Sequence, residues 1–151
     1  MSKLRFEDIV NLHDEILSIS GGLPGIHNEG LIISAIERGF SGTSDGTEFY
    51  SNLFSKAAAI TQSLCLNHGF VDGNKRTGLA AGMLFLFRNG YYIPVPEVNV
   101  AKTFVLGIVD ENRAKRLSVS KIAEWFRNSA KSIQDGYSEE YLRRVKLRYA
   151  H

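Results

Sequence analysis

The run His68-Gly69-Phe70-Val71-Asp72-Gly73-Asn74-Lys75-Arg76-Thr77 brings a histidine, a carboxylate, an amide and two cations together among glycines. A histidine is a natural general base for a hydroxyl near neutral pH, and His68 opens the run. Gly73 lets the backbone approach a ligand closely or take a conformation closed to other residues. It falls where a helix is expected to start, so Gly73, Asn74 and Lys75 can offer unpaired N–H groups, at the positive end of the helix dipole, to a phosphate. Lys75 and Arg76 add positive charge, and an arginine can grip two oxygens at once. Asp72 suits a magnesium ion, which takes one or two carboxylates together with water and phosphate oxygens. Phe70 reads as the anchor that pins the loop to the core. Base, metal ligand, anion cradle and cations match transfer of a phosphorus-containing group from a nucleotide to a hydroxyl, where catalysis is mainly positioning and charge stabilisation. Walker A spacing, G-x-x-x-x-G-K-[ST], is absent.

The elements that must position these residues read as helices. Phe6, Ile9, Val10, His13, Ile16 and Leu17 recur at helical spacing and stop at Gly21-Gly22. Pro24-Gly25 makes a turn. Leu31, Ile32, Ala35 and Ile36 mark a second helix, capped by Asn28 and closed by Gly39. Ser41 to Glu48 reads as an exposed loop. Leu53, Ala57, Ile60 and Leu64 form the spine of a third helix ending near Asn67. The fourth, Asn74 to Asn89, is apolar on more than one face, as expected of a central, nearly surrounded helix. Tyr91 to Ile93 reads as a short extended piece. A fifth helix is predicted over Asn99 to Asp110, a sixth from the cap Ser118 through Phe126, and a last over Ser138 to Tyr149. The expectation is one all-α domain spanning residues 1–151.

Composition narrows the class. A net charge of +2 gives no support for nucleic-acid binding by bulk charge. The single cysteine, Cys65, rules out an intrachain disulfide framework and fits a reducing compartment. No apolar run approaches membrane-spanning length, and residues 1–8 lack the apolar core of a signal peptide. A cytoplasmic protein is expected, with no membrane partner.

The same run, H-G-F-V-D-G-N-K-R-T, resembles the signature of the Fic/Doc family, H-x-F-x-[DE]-G-N-x-R, and is closest to its Doc (death on curing) branch, the toxins of type II toxin–antitoxin modules. The similarity extends to Gly21-Gly22-Leu23-Pro24-Gly25-Ile26 with Glu29-Gly30-Leu31, which looks like the family's flap. It also takes in Leu53-Phe54-Ser55-Lys56-Ala57-Ala58 before the signature, and Leu84-Phe85-Leu86 with Asn89-Gly90-Tyr91 after it. The resemblance covers roughly residues 4–127 and leaves a tail, 128–151. The resemblance implies a helical bundle around a central apolar helix. It implies that His68 deprotonates the target hydroxyl, that Asp72 holds Mg2+, that Gly73, Asn74 and Lys75 form the anion hole, and that Arg76 neutralises phosphate charge. The AMP-transferring branch continues G-N-G-R-x-x-R. Here Lys75 replaces the second glycine and Leu79 the second arginine. Both are features of the Doc branch, in which the γ-phosphate of ATP is transferred to a threonine of elongation factor Tu and translation stops. An antitoxin, Phd-like or other, is the implied inhibitor. Gly69 stands where the family commonly has proline, a change expected to loosen the loop.

Plainer roles compete with some of these. Asp72 also suits a helix N-cap. Lys75 could be a surface lysine, although a cation opposes the dipole at a helix N-terminus. His13 and His27 read as core or surface histidines, and Asn28 and Glu29 as capping residues. Arg143, Arg144, Lys146 and Arg148 read as a solvated helix face paired with Glu139 and Glu140. Ser44-x-x-x-Glu48 echoes the inhibitory helix motif of some Fic proteins, but Gly46 argues against a helix there. Two alternatives stay open beside the kinase: an AMP transferase, and a non-catalytic binding module on the same fold.

Overall fold

A computed structural model describes residues 1–133, and the last predicted helix and the basic tail lie outside them. The order is α1 (Phe6–Ser20), α2 (Glu29–Arg38), α3 (Leu53–Asn67), α4 (Asn74–Arg88), β1 (Tyr91–Tyr92), α5 (Val98–Ile108), a single 3-10 turn (Arg113–Lys115), α6 (Val119–Ser129) and β2 (Lys131–Ser132). This is the all-α architecture expected, with one small addition. The predicted extended piece pairs antiparallel with β2, Tyr91 opposite Ser132 and Tyr92 opposite Lys131.

Helix ends follow local chemistry. Asn28 accepts from the Leu31 amide, Asn52 from Ser55, Glu97 from Asn99 and Ser118 from Lys121, so α2, α3, α5 and α6 are each capped by the preceding side chain. Gly21, at φ 82°, ends α1.

The antiparallel pair α3 and α4 forms the centre, with α1 against α4, and α2 and α6 against α3. Sequence pattern singled out α4 as central, yet α3 is just as enclosed: Ala57, Ala58, Ala59 and Thr61 are each fully buried. The reason is close approach. Gly78 and Gly82, one turn apart, face α3, and a Cβ at Gly82 would lie 2.2 Å from Thr61 Oγ1 and 2.8 Å from Phe126 Cζ. Thr61 Oγ1 donates to the Gly78 carbonyl at 2.9 Å. Small residues therefore read as a weak apolar spine while belonging to the tightest contact in the core. The loop 41–50 contains no helix. Gly42 bridges Glu48, and Glu48 pairs with the buried Lys56 ammonium, so the inhibitory-motif echo has no structural counterpart.

Candidate active site

The junction between α3 and α4 is a short loop at one end of the central pair. His68 is the C-cap of α3 and sits in the left-handed region at φ 53°, ψ 46°. It is the one non-glycine with positive φ among the described residues. A side chain there costs about 1–2 kcal/mol relative to ordinary backbone. The imidazole is exposed, with no hydrogen-bond partner among the described residues.

The chain then turns inward. Phe70 is 2% exposed and anchors the loop, as expected. The Asn74 side chain clamps it: Phe70 N donates to Asn74 Oδ1 at 2.9 Å, and Asn74 Nδ2 donates to Phe70 O at 2.9 Å. Gly69 is buried against Ile32, with 2.6 Å between a notional Cβ and Ile32 Cγ1. Its carbonyl accepts from the amides of His27 at 2.8 Å and Asn28 at 3.0 Å. The loop is thus tied down at Gly69 rather than loosened, and a larger residue there would strike Ile32.

The flap predicted around residues 21–26 lies along this loop. Val71 N donates to Gly25 O at 3.0 Å, and Ile26 bridges Phe70. Asp72 is not the cap of α4. Gly73 occupies that position, at φ 81°, and offers no side chain. The Asp72 carboxylate instead accepts from Gly73 N on Oδ1 at 2.8 Å and from Leu23 N on Oδ2 at 3.1 Å. Those two amides, Leu23's first, hold its carboxyl below the ordinary carboxylate value, so it is ionised at neutral pH. One half-exposed, ionised carboxylate beside a helix N-terminus fits a magnesium ion held with phosphate oxygens and water.

Arg76 reaches back under the flap. Its Nη1 donates to Ser20 Oγ and to Gly21 O at 3.0 Å, and its Nη2 lies 3.9 Å from Asp72 Oδ1. The end of α1 is a favourable place for a cation. The site accommodates this through Gly22, where a Cβ would come within 2.8 Å of Asp72 Oδ2 and 3.1 Å of Arg76 Nη2. Lys75 is exposed at the mouth of a cavity of about 260 Å³ between α4 and α5, whose lining includes Arg76, Leu79, Val98, Lys102 and Leu106.

The structure therefore gathers Asp72, Gly73, Asn74 and Arg76 around one loop, with His68 at its entrance and Lys75 at its exit. Two contributors were not singled out from sequence. Ser20 holds Arg76. His13 is fully buried beneath Phe70 and bonds to the backbone of Asp72. Its signal was its place on the apolar stripe of α1, where a polar side chain needs a partner.

This loop, flap and helix N-terminus define a Fic-type site, and residues 3–86 match the model of the Fic/DOC family: the chain belongs to that family. Among its named relatives, Toxin Doc of Mycolicibacterium smegmatis is 46% identical over 70 residues, covering 46% of this chain and 53% of that protein. Protein kinase doc of Escherichia phage P1 is 36% identical over 87 residues, covering 58% of this chain and 68% of that protein. The match thus spans about half the length of the first relative and about two thirds of the second. Among the described residues no helix is long and apolar enough to cross a membrane.

Proposed function

We propose that this chain is a Doc-like toxin, a magnesium-dependent kinase that moves the γ-phosphate of ATP onto a hydroxyl of a cytoplasmic protein. By resemblance the acceptor is a threonine of elongation factor Tu, the outcome is arrest of translation, and an antitoxin holds the toxin inactive. His68, exposed and unpaired among the described residues, takes the proton of the acceptor hydroxyl. The hydroxyl oxygen bonds to the γ-phosphorus, the bond to the β–γ bridging oxygen breaks, and ADP leaves with that oxygen. The amides of Asn74 and Lys75 face the phosphate oxygens, whereas that of Gly73, expected to join them, is taken by the Asp72 carboxylate. Arg76 and Lys75 offset the phosphate charge, and Asp72 would hold the metal. A magnesium ion held by Asp72 would supply charge that offsets the phosphate oxygens.

One observation carries the choice of phosphate over AMP. Lys75 stands exposed in the first turn of α4, whereas Leu79, one turn on, is 1% exposed and belongs to the core. The helix offers a cation where the AMP-transferring pattern wants room for phosphate, and an aliphatic side chain where that pattern wants a clamp on the triphosphate. The test is the intact mass of purified elongation factor Tu after incubation with the protein, ATP and magnesium. A gain of one phosphate is expected, and loss of that gain in H68A. A gain of AMP moves the chain to the transferase reading. No gain, together with no nucleotide binding by calorimetry, moves it to a binding module.

A further inference from the structure

We infer that His13 is a positioning residue: its ring, buried in α1, fixes the Asp72–Gly73 peptide and through it the anion cradle. His13 Nε2 lies 2.7 Å from the backbone oxygen of Asp72. A carbonyl can only accept, so Nε2 carries the hydrogen. The ring is fully buried and stacks on Phe70 at 3.8 Å between centroids with 5° between planes. Its other nitrogen lies 3.1 Å from Asp14 Oδ1, a side chain 68% exposed, so the bond to Asp72 is the one made inside the protein.

The carbonyl held by His13 belongs to the peptide whose N–H, on Gly73, donates to Asp72 Oδ1 at 2.8 Å. With glycine on one side, that peptide plane rotates at little steric cost. Rotation would turn the Gly73 amide away from Asp72, release its carboxylate and shift the start of α4, whose next amides form the cradle. His13 restrains the plane from its oxygen side, and α1 adds a second restraint one turn on. A Cβ at Gly73 would meet Leu17 Cδ1 at 2.7 Å and His13 Cδ2 at 3.5 Å, so both side chains sit directly beneath it. His13, Leu17 and Ser20 follow one another along one face of α1 and meet Asp72–Gly73 and then Arg76. The helix that ends in the flap is thereby the support for the cradle.

The inference rests on the proposed phosphate transfer for its kinetic test and on backbone exchange for an independent one. H13F keeps the stack and removes the donor, whereas H13Q carries a donor on a side chain of similar reach. In H13F, kcat for phosphate transfer to elongation factor Tu should fall about 10- to 100-fold with a much smaller change in the KM for ATP, and H13Q should recover most of it. Hydrogen exchange at the Gly73 amide should quicken in H13F and stay near wild type in H13Q. Unchanged exchange and transfer in folded H13F overturns the inference, as does equal loss in both variants without faster exchange. A wild-type protein that transfers no phosphate defeats the kinase reading alone, and exchange still decides the role of His13. If neither variant folds, ¹⁵N spectra of the wild-type ring decide: a slowly exchanging Nε2–H supports the tether, and a bare Nε2 overturns it.

Discussion

Replacing Asn74 by Ala tests how the loop between α3 and α4 is held, and its cost can be worked from two bonds. Both link the Asn74 amide to the backbone of Phe70, at 2.9 Å each. Phe70 is 2% exposed, so water cannot easily replace what is lost. A typical hydrogen bond contributes about 1 kcal/mol net, and a buried group left unpaired costs about 1–3 kcal/mol. Helix propensity returns a few tenths at most, because Asn74 is the first residue of α4 and not an interior one. The expected loss is about 2–4 kcal/mol, a large share of the ~5–15 kcal/mol that stabilises a domain. N74D keeps the acceptor for Phe70 N but sets a carboxylate oxygen against Phe70 O, and should lose at least as much at neutral pH. Urea unfolding followed by circular dichroism and by the fluorescence of Trp125 measures both. Loss below about 1 kcal/mol in each variant would mean that Phe70 finds other partners and that the clamp is not what fixes the loop.

Further expectations concern strain, charge and packing. H68A and H68G both remove the proposed base and should abolish transfer, but glycine relieves the left-handed backbone at φ 53°, so H68G should be the more stable by about 1 kcal/mol; equal urea midpoints would remove the claim of strain. Arg88 contacts Asp8 at 2.8 and 3.0 Å and, with the Arg5 amide, holds the Asp8 carboxyl below its ordinary value. A lowered carboxyl pKa stabilises the fold above the ordinary value near 4, and the contribution is lost as pH falls through the lowered one. D8N should thus cost about 1 kcal/mol at pH 7 and progressively less below pH ~4, and a pH-independent difference would contradict it. G82A sets a helix gain of about 1 kcal/mol against overpacking of about 1–3 kcal/mol on Thr61 and Phe126, and a raised thermal midpoint would show that α3 and α4 are less close than described. The Thr77 hydroxyl is buried without a partner among the described residues, so T77V should stabilise by about 1 kcal/mol in the same melt.

The helices were legible because periodicity and caps depend on neighbours in sequence. Apolar residues at helical spacing marked α1 to α6, and Asn28, Ser118 and Gly21 marked ends where the structure has them. Long-range partners were not legible. Nothing local announces that β1 pairs with residues 131–132, that Leu23 donates to Asp72, or that Arg76 bonds to Ser20 and Gly21. The centrality of α3 was hidden for a related reason. Alanine, threonine and glycine carry little hydrophobic signal, and their value appears only when another backbone comes close. Asn74 shows the same limit within the signature itself. Its place at a helix start suggested a backbone amide for phosphate, and nothing local announced that its side chain also holds the loop.

The way the helices begin gives a reason, independent of family, to place an anion at α4. Each of α2, α3, α5 and α6 has a first-turn amide satisfied by the side chain just before it: Asn28, Asn52, Glu97 and Ser118. α4 has Gly73 in that position and no side-chain cap. A glycine cap costs only about a few tenths of a kcal/mol against asparagine or serine but leaves first-turn amides open, and Lys75 in the same turn opposes the dipole. His68, just upstream, adds a left-handed backbone that a glycine would take more easily. A junction selected for stability alone would avoid all three. α1 also lacks a bond from its cap side chain, Arg5, but the open cap, the first-turn cation and the left-handed residue occur together only at α4 among the described helices, and such coincidence points to a functional site. A phosphate removes two of the penalties at once, because it accepts from the uncapped amides and pairs with the lysine. The prediction that follows is a ligand effect: ATP with magnesium should raise the thermal midpoint of the wild type and raise that of K75A much less. Equal shifts would separate Lys75 from the phosphate site and leave its place in the first turn of α4 without a reason.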